Sequence, residues 1–303
     1  MITAAGMLVL AVVSGVGLIV DDRTLVGAPI WLKPLKFSIS LTIYTVTMAW
    51  LISLLTRGRK AATRLGTVIA VAAFIEMAII VGQVVRGRQS HFNVATALDA
   101  ALFSTMGVTI VVVWLATLWI GVLLMIQRIG DRPTALAIRS GVVIALGGLA
   151  TGFLMTNPTS DQLAKMDSAP PTLVGAHSVG VPDGGAGLPI LGWSTEGGDL
   201  RVGHFVGMHA LQALPLLAFL LVLAARRFAR LRDELLRTRV VLIFAGAHAA
   251  ITLLVIWQAL RGQPLLKPDT LTLSALLAIA AAAMIGLVLS FTRPARVETA
   301  VAA

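Results

Sequence analysis

The chain has 303 residues, 57% of them hydrophobic and 13% charged, with a formal net charge of +10. Soluble domains carry roughly 25% charged residues, so this composition leaves too little polar surface for a water-soluble globule. The absence of Cys excludes disulfides, thiolate metal sites and Cys nucleophiles.

The apolar residues fall in stretches of about 20, the length that crosses a hydrocarbon core about 30 Å thick. Hydropathy predicts an all-α polytopic membrane protein with eight spanning helices. They lie near residues 2–20, 37–55, 65–85, 99–126, 138–156, 205–225, 240–260 and 271–291. The first lacks a basic leader and a small-residue cleavage site, so it reads as a retained helix. Before the second span, PIWLKPLKF (29–37) sets Lys33 and Lys36 beside Trp31 and Phe37, the usual interfacial belt.

Glu76, in the third span, is the only acid inside any span. An ionisable group at mid-depth is costly and is a functional candidate by default. Gln83 shares its helical face, and Arg86-Gly87 closes the helix. The next loop, RGRQSHFN (86–93), adds His91 among other polar groups.

Residues 157–203 form the longest loop, with nine Gly and five Pro. Loops of this length are usually functional or disordered; LPILGW (188–193) favours an ordered cap that packs back on the helices. The cap feeds GDLRVGHFVGMHALQALP (198–215), which places Asp199, Arg201 and His204 at the mouth of the sixth span. His209 lies about 7 Å deeper and shares a face with Gln212, while Pro215 predicts a kink nearby. In the seventh span, His248 lies about 18 Å below the end marked by Gln258 and Arg261. His91, His177 and His204 fall in or beside outer loops, but no paired-His motif marks a metal site.

Fifteen of the 24 basic residues lie in segments 56–64, 127–139, 226–239 and 293–303, and nine in the alternate loops. The positive-inside rule puts the first group, with both termini, in the cytoplasm of a plasma (inner) membrane protein. The basic excess is then a topology signal and an attraction to anionic lipid, so no nucleic-acid partner is expected.

A shift of 175 residues aligns 57–87 with 232–262 without a gap, with eight identities in 31 positions, including Gln83/Gln258, Arg86/Arg261 and Gly87/Gly262. This suggests two parallel four-helix repeats, 1–130 and 131–303, with 157–203 inserted in the second. Repeats of an even number of helices are related by an axis along the membrane normal.

These features point to a transporter or permease of a small solute or ion with an outward-opening polar cavity. Glu76 is its proton or cation site, and Gln83, Arg86, His209, Gln212, His248, Gln258 and Arg261 line the path. His91, Asp199, Arg201 and His204 stand at the outer mouth. The alternative is a redox or haem enzyme. Two parallel four-helix halves in about 300 residues are similar to the layout of haem A synthases, a resemblance that implies His pairs on helices of each half. The first half here has no His in a span, and the outer-loop Cys pair of many members is absent. No haem or catalytic residue can therefore be carried over, and no other cofactor is implied. A third reading is a non-catalytic sensor or scaffold.

Overall fold

The computed structural model describes residues 1–166 and 168–292. Residues 293–303, on which the expectation of a cytoplasmic C-terminus falls, lie outside the described residues. Among the described residues, eight helices are long and apolar enough to cross a membrane.

In chain order, α1 (Ile2–Val20) is followed by the two-residue strands β1 (Thr24–Leu25) and β2 (Ala28–Pro29), which pair antiparallel. Then come α2 (Leu32–Ser53), α3 (Arg59–Val85), α4 (Ala97–Met125) and α5 (Arg132–Met155). The long loop holds α6 (Ser160–Met166) and β3 (Ser178–Val179), which pairs antiparallel with β4 (Gly198–Asp199). The sixth span is broken into α7 (Leu200–Met208) and α8 (Ala210–Arg227), and α9 (Glu234–Leu260) and α10 (Thr270–Thr292) complete the set.

The helix starts are chemically marked. The Thr96 hydroxyl accepts the Asp99 N–H at 3.1 Å and donates to the Asp99 carboxylate at 2.8 Å, a reciprocal cap for α4. Asp131, Asp199 and Asp233 cap α5, α7 and α9 by accepting early backbone N–H groups. Beyond α3 and α9, Gly87 and Gly262 adopt φ of +66° and +70°, the left-handed closure that glycine makes without a Cβ clash.

Several helices run past their hydropathy limits. α2 begins at 32 instead of 37, α3 at 59 instead of 65, α5 at 132 instead of 138 and α9 at 234 instead of 240. Hydropathy detects the part that lies in hydrocarbon, whereas backbone hydrogen bonding continues into the polar flanks until a cap ends it. The sixth span starts at Leu200 because Asp199 caps it there. Its break falls at His209, with Pro215 buried inside α8.

Successive helices pack side by side: α1 on α2, α2 on α3, α3 on α4, and α4 on α5. α5 then packs on α7, α8 and α9, and α9 on α10. The largest core cluster draws Leu51, Ile120, Ile138 and Leu211 from α2, α4, α5 and α8. α5 and α7 meet backbone to backbone: a Cβ added to Gly148 would lie 2.5 Å from Gly207 main-chain atoms. Large apolar side chains stay exposed along the bundle, as on α10, where Leu277 and Met284 are examples. That surface requires contact with a lipid bilayer.

Four loops meet at one end of the bundle. The Val94 N–H donates to the Thr172 carbonyl at 2.9 Å and the Val174 N–H to the Phe92 carbonyl at 2.8 Å. Gly27 packs against Gly184, and Gly262 against Val179 and Gly180. The described residues of 157–199 are thus an ordered cap tied to loops 21–31, 86–96 and 261–269. At the opposite end, Arg237 pairs with Asp131 at 2.9 Å, and the Gln127 amide holds the backbone of Thr56 and Arg57.

Candidate functional site

α3 places Glu76 nine residues before its end at Val85, about 13 Å below the cap end of the helix. Its side chain is buried, with 2% exposure. The Thr109 hydroxyl of α4 donates to Oε1 at 2.6 Å, while Oε2 is buried with no hydrogen-bond partner. Lys33, at the start of α2, is the charged group within electrostatic reach. A carboxyl half-satisfied in the interior is unstable as a bare anion and suited to holding a proton or a cation.

Gln83 and Arg86 lie two and three turns further toward the cap. Gln83 Nε2 donates to the Asp99 carboxylate at 2.9 Å and to the Gln89 carbonyl at 3.1 Å. Arg86 donates to Asp99 at 2.7 Å and to Gln83 Oε1 at 2.6 Å. The end of α9 is built alike. Gln258 Nε2 donates to the Pro264 carbonyl at 2.8 Å, and Arg261 pairs with Asp269 and lies 4.4 Å over the Trp257 ring. Hydrogen bonding to Arg261 holds Asp269 well below the usual carboxylate range. Each Gln-x-x-Arg-Gly end therefore clamps its own loop to the start of the next helix, and the two arginines serve separate aspartates.

The cap brings the outer residues together. Arg201 makes a two-pronged pair with Asp199, through Nη2 at 2.6 Å and Nε at 2.9 Å, and also donates to the Gly192 carbonyl at 2.6 Å. Lys36 donates to the adjoining Leu191 carbonyl at 3.1 Å. The 188–193 loop is thereby held by α2 on one side and α7 on the other. His91 lies edge-on to Phe37 and Phe92 at 5.6 and 6.2 Å, and Phe92 to His177 at 4.8 Å. His177 Nδ1 pairs with Asp183 at 2.8 Å. Burial, reinforced by Lys33 and by His177, holds His91 well below its ordinary pKa. Burial also lowers His177, against the opposing pull of Asp183. For Asp183 burial acts upward, but the bonds from the His177 ring and the 177–178 backbone prevail and hold it well below the usual range.

Three imidazoles cluster on the broken span. His204 Nδ1 bonds to the Gly148 carbonyl at 3.0 Å, His209 Nδ1 to Gln212 Oε1 at 3.2 Å, and His248 Nε2 to the Val206 carbonyl at 2.8 Å. Gln212 Nε2 goes on to donate to Thr47 Oγ1 of α2 at 3.2 Å, linking the second and sixth spans. Because the sixth span starts at Leu200, His209 lies about 13 Å below the cap end, about 5 Å short of His248, and His204 itself lies about 6 Å inside the helix and not at its mouth.

A shallow surface depression at the cap end is lined by Asp199, Val202, Gln258 and Gln263 among others. Neither Glu76 nor His209 lines it. Among the described residues, no group of three or more His, Asp or Glu side chains is placed to hold a metal ion. Sequence reasoning missed Thr109, Asp183 and Thr47, whose types carry no signal until the fold pairs them. It also read Lys33 as a belt residue, although it reaches toward Glu76, His91 and His177.

Together these features define a multi-pass α-helical integral membrane protein. No family model, curated protein or solved structure matches the chain.

Proposed function

We propose that the protein is a membrane transporter that couples movement of a small solute or ion to a proton or cation carried on Glu76. The observation that carries this reading is the Glu76 carboxyl itself, inside a spanning helix, with one oxygen bonded to Thr109 and the other buried without a partner. Such a group is retained at a cost to stability, and a carrier of charge across hydrocarbon is the role that offsets the cost.

The tandem arrangement belongs to the same proposal. Residues 1–130 and 131–303 are read as parallel repeats, supported by the equal length of α3 and α9, each 27 residues, and by their matching Gln-x-x-Arg-Gly ends. The capping pair that follows is exchanged: Thr96 then Asp99 at the start of α4, Asp269 then Thr272 at the start of α10. Glu76 corresponds to Ile251, so the acid belongs to one half alone. The end that carries the basic loops 56–64, 127–139 and 226–239 is assigned to the cytoplasm and the cap to the outer face of the inner membrane, on the charge division of the loops.

The test is solute-driven proton movement in proteoliposomes carrying a trapped pH dye. Amino acids, sugars and inorganic ions are added outside in turn. At least one solute should change the internal pH with wild-type protein and none with Glu76→Gln. Wild-type behaviour in the Glu76→Gln protein would overturn the coupling role.

A further inference from the structure

All five histidines of the chain form one series descending from the cap into the bundle. His91 and His177 both meet the Phe92 ring. The His177 carbonyl accepts the Leu200 N–H at 3.0 Å, which fastens it to the start of α7. His204 follows four residues on, about 6 Å deeper, and His209 stands at the break of the span. His248 reaches over from α9 to the Val206 carbonyl, between the two. Each neighbouring pair in the order 91, 177, 204, 209, 248 lies within electrostatic reach.

Their partners fix their tautomers. A carbonyl or carboxylate can only accept, so His177, His204 and His209 carry hydrogen on Nδ1 and His248 on Nε2. The opposite ring nitrogen of each is then a bare lone pair, with no hydrogen-bond partner among the described residues. The backbone at the head of the series is held under strain. Phe92, with φ of +64°, is one of three non-glycine residues in the left-handed region among the described residues, and the other two, Val26 and Ile190, also lie in the cap end. Strain of this kind, of order 1–3 kcal/mol per residue, concentrates at working parts of proteins.

We propose that the five histidines form a proton path from the cap to the middle of the membrane, with water bridging successive rings. At His177, His204, His209 and His248 the bare nitrogen takes a proton from a hydronium ion, as Nε2 of His91 does when its Nδ1–H donates to the Ser90 hydroxyl. This gives an imidazolium whose other N–H stays on its carbonyl, carboxylate or amide. The same proton then leaves from the same nitrogen to the next water, so the ring returns to its original tautomer and nothing is oxidised or reduced. Asp183, Arg201 and Lys33 face His177, and Lys33 also faces His91. The deeper rings face one another. The path stops at His248, about 18 Å below the end of α9, which suits delivery to a carrier and not a through channel; in this respect it rests on the transport reading.

The experiment adds His204→Asn and His209→Asn to the proteoliposome measurement, because the Asn amide keeps an N–H for the Gly148 carbonyl or Gln212 while removing titration. Both variants should slow solute-driven pH change by an order of magnitude or more. Loss in Glu76→Gln with full rate in both His variants would overturn the path and leave the coupling carboxyl standing. Loss in the His variants with full rate in Glu76→Gln would do the reverse. A second measurement needs no solute: nitrogen NMR of histidine-labelled wild-type protein between about pH 8 and pH 4. The path predicts that His204 and His209 exchange between neutral and charged forms in that range. A single unchanging neutral tautomer at both, or wild-type vesicles no different from protein-free ones with every solute, would overturn it.

Discussion

The two aspartates that receive Arg86 and Arg261 differ in burial, and their removal should differ accordingly. Asp99 is fully buried and accepts from Gln83, Arg86 and Thr96. Asp99→Ala strands these donors, and breaking a buried pair costs about 3–5 kcal/mol. Asp269 is far more exposed, at 37% of its side chain against 0% for Asp99, so Asp269→Ala should cost only about 1 kcal/mol, chiefly the lost cap of α10. Thermal unfolding of the two variants in detergent checks the order, and equal losses would contradict it. Thr109→Val removes the one hydrogen bond to Glu76 and should destabilise by about 1–3 kcal/mol, the cost of a stranded buried polar group. Thr109→Ser should be close to wild type. Glu76 was legible in the sequence because an acid in a spanning segment is conspicuous against its neighbours. Thr109 was not, since a threonine in an apolar helix gains meaning only from what the neighbouring helix presents to it.

Among elements, the cap carries the pH dependence. His91 and His177 are both held below their ordinary pKa by burial, so the unfolded cap binds more protons than the folded one once pH falls below about 6.5. Its stability is therefore full above that pH and is lost as pH falls toward the depressed folded values, while Asp183 stays ionised throughout. Limited proteolysis of the 157–199 region should accelerate on acidification from about pH 7.5 to pH 5, and His177→Asn should weaken that trend. Protection that increases on acidification would contradict the sign. The α5–α7 contact makes a second case: Gly207→Val puts a branched side chain where a Cβ alone would come 2.6 Å from the Gly148 Cα. It should separate the helices and prevent recovery of monodisperse protein, whereas Gly147→Val, where nothing lies within 4 Å of the added Cβ, should not. The eight helices were legible from apolar length and the cap from its composition. The helix starts were not, because a capping Asp or Thr ends a helix inside polar sequence where hydropathy has no contrast. The early start at Leu200 in turn changed the depth of His209 relative to His248.

At the scale of the whole molecule, the charge division predicts sidedness. Single Cys residues placed at 57 and 232 should be protected from an impermeant thiol reagent added outside, and one at the exposed position 186 in the cap should react, in a chain that has no other Cys. Labelling at 232 from outside would contradict the assigned topology. The clamp at the ends of α3 and α9 was legible as a shared Gln-x-x-Arg-Gly pattern, while its partner aspartates, Asp99 and Asp269, sit at different offsets and emerge only in three dimensions. The role of the Glu76 carboxyl is decided by one comparison: solute-driven internal pH change in proteoliposomes of wild type and Glu76→Gln, both verified as folded. Gln keeps the size of the side chain and can still accept from Thr109, so only titration is removed. A coupling carboxyl gives a pH change with wild type that is abolished in the variant. An undiminished pH change with Glu76→Gln would contradict that role.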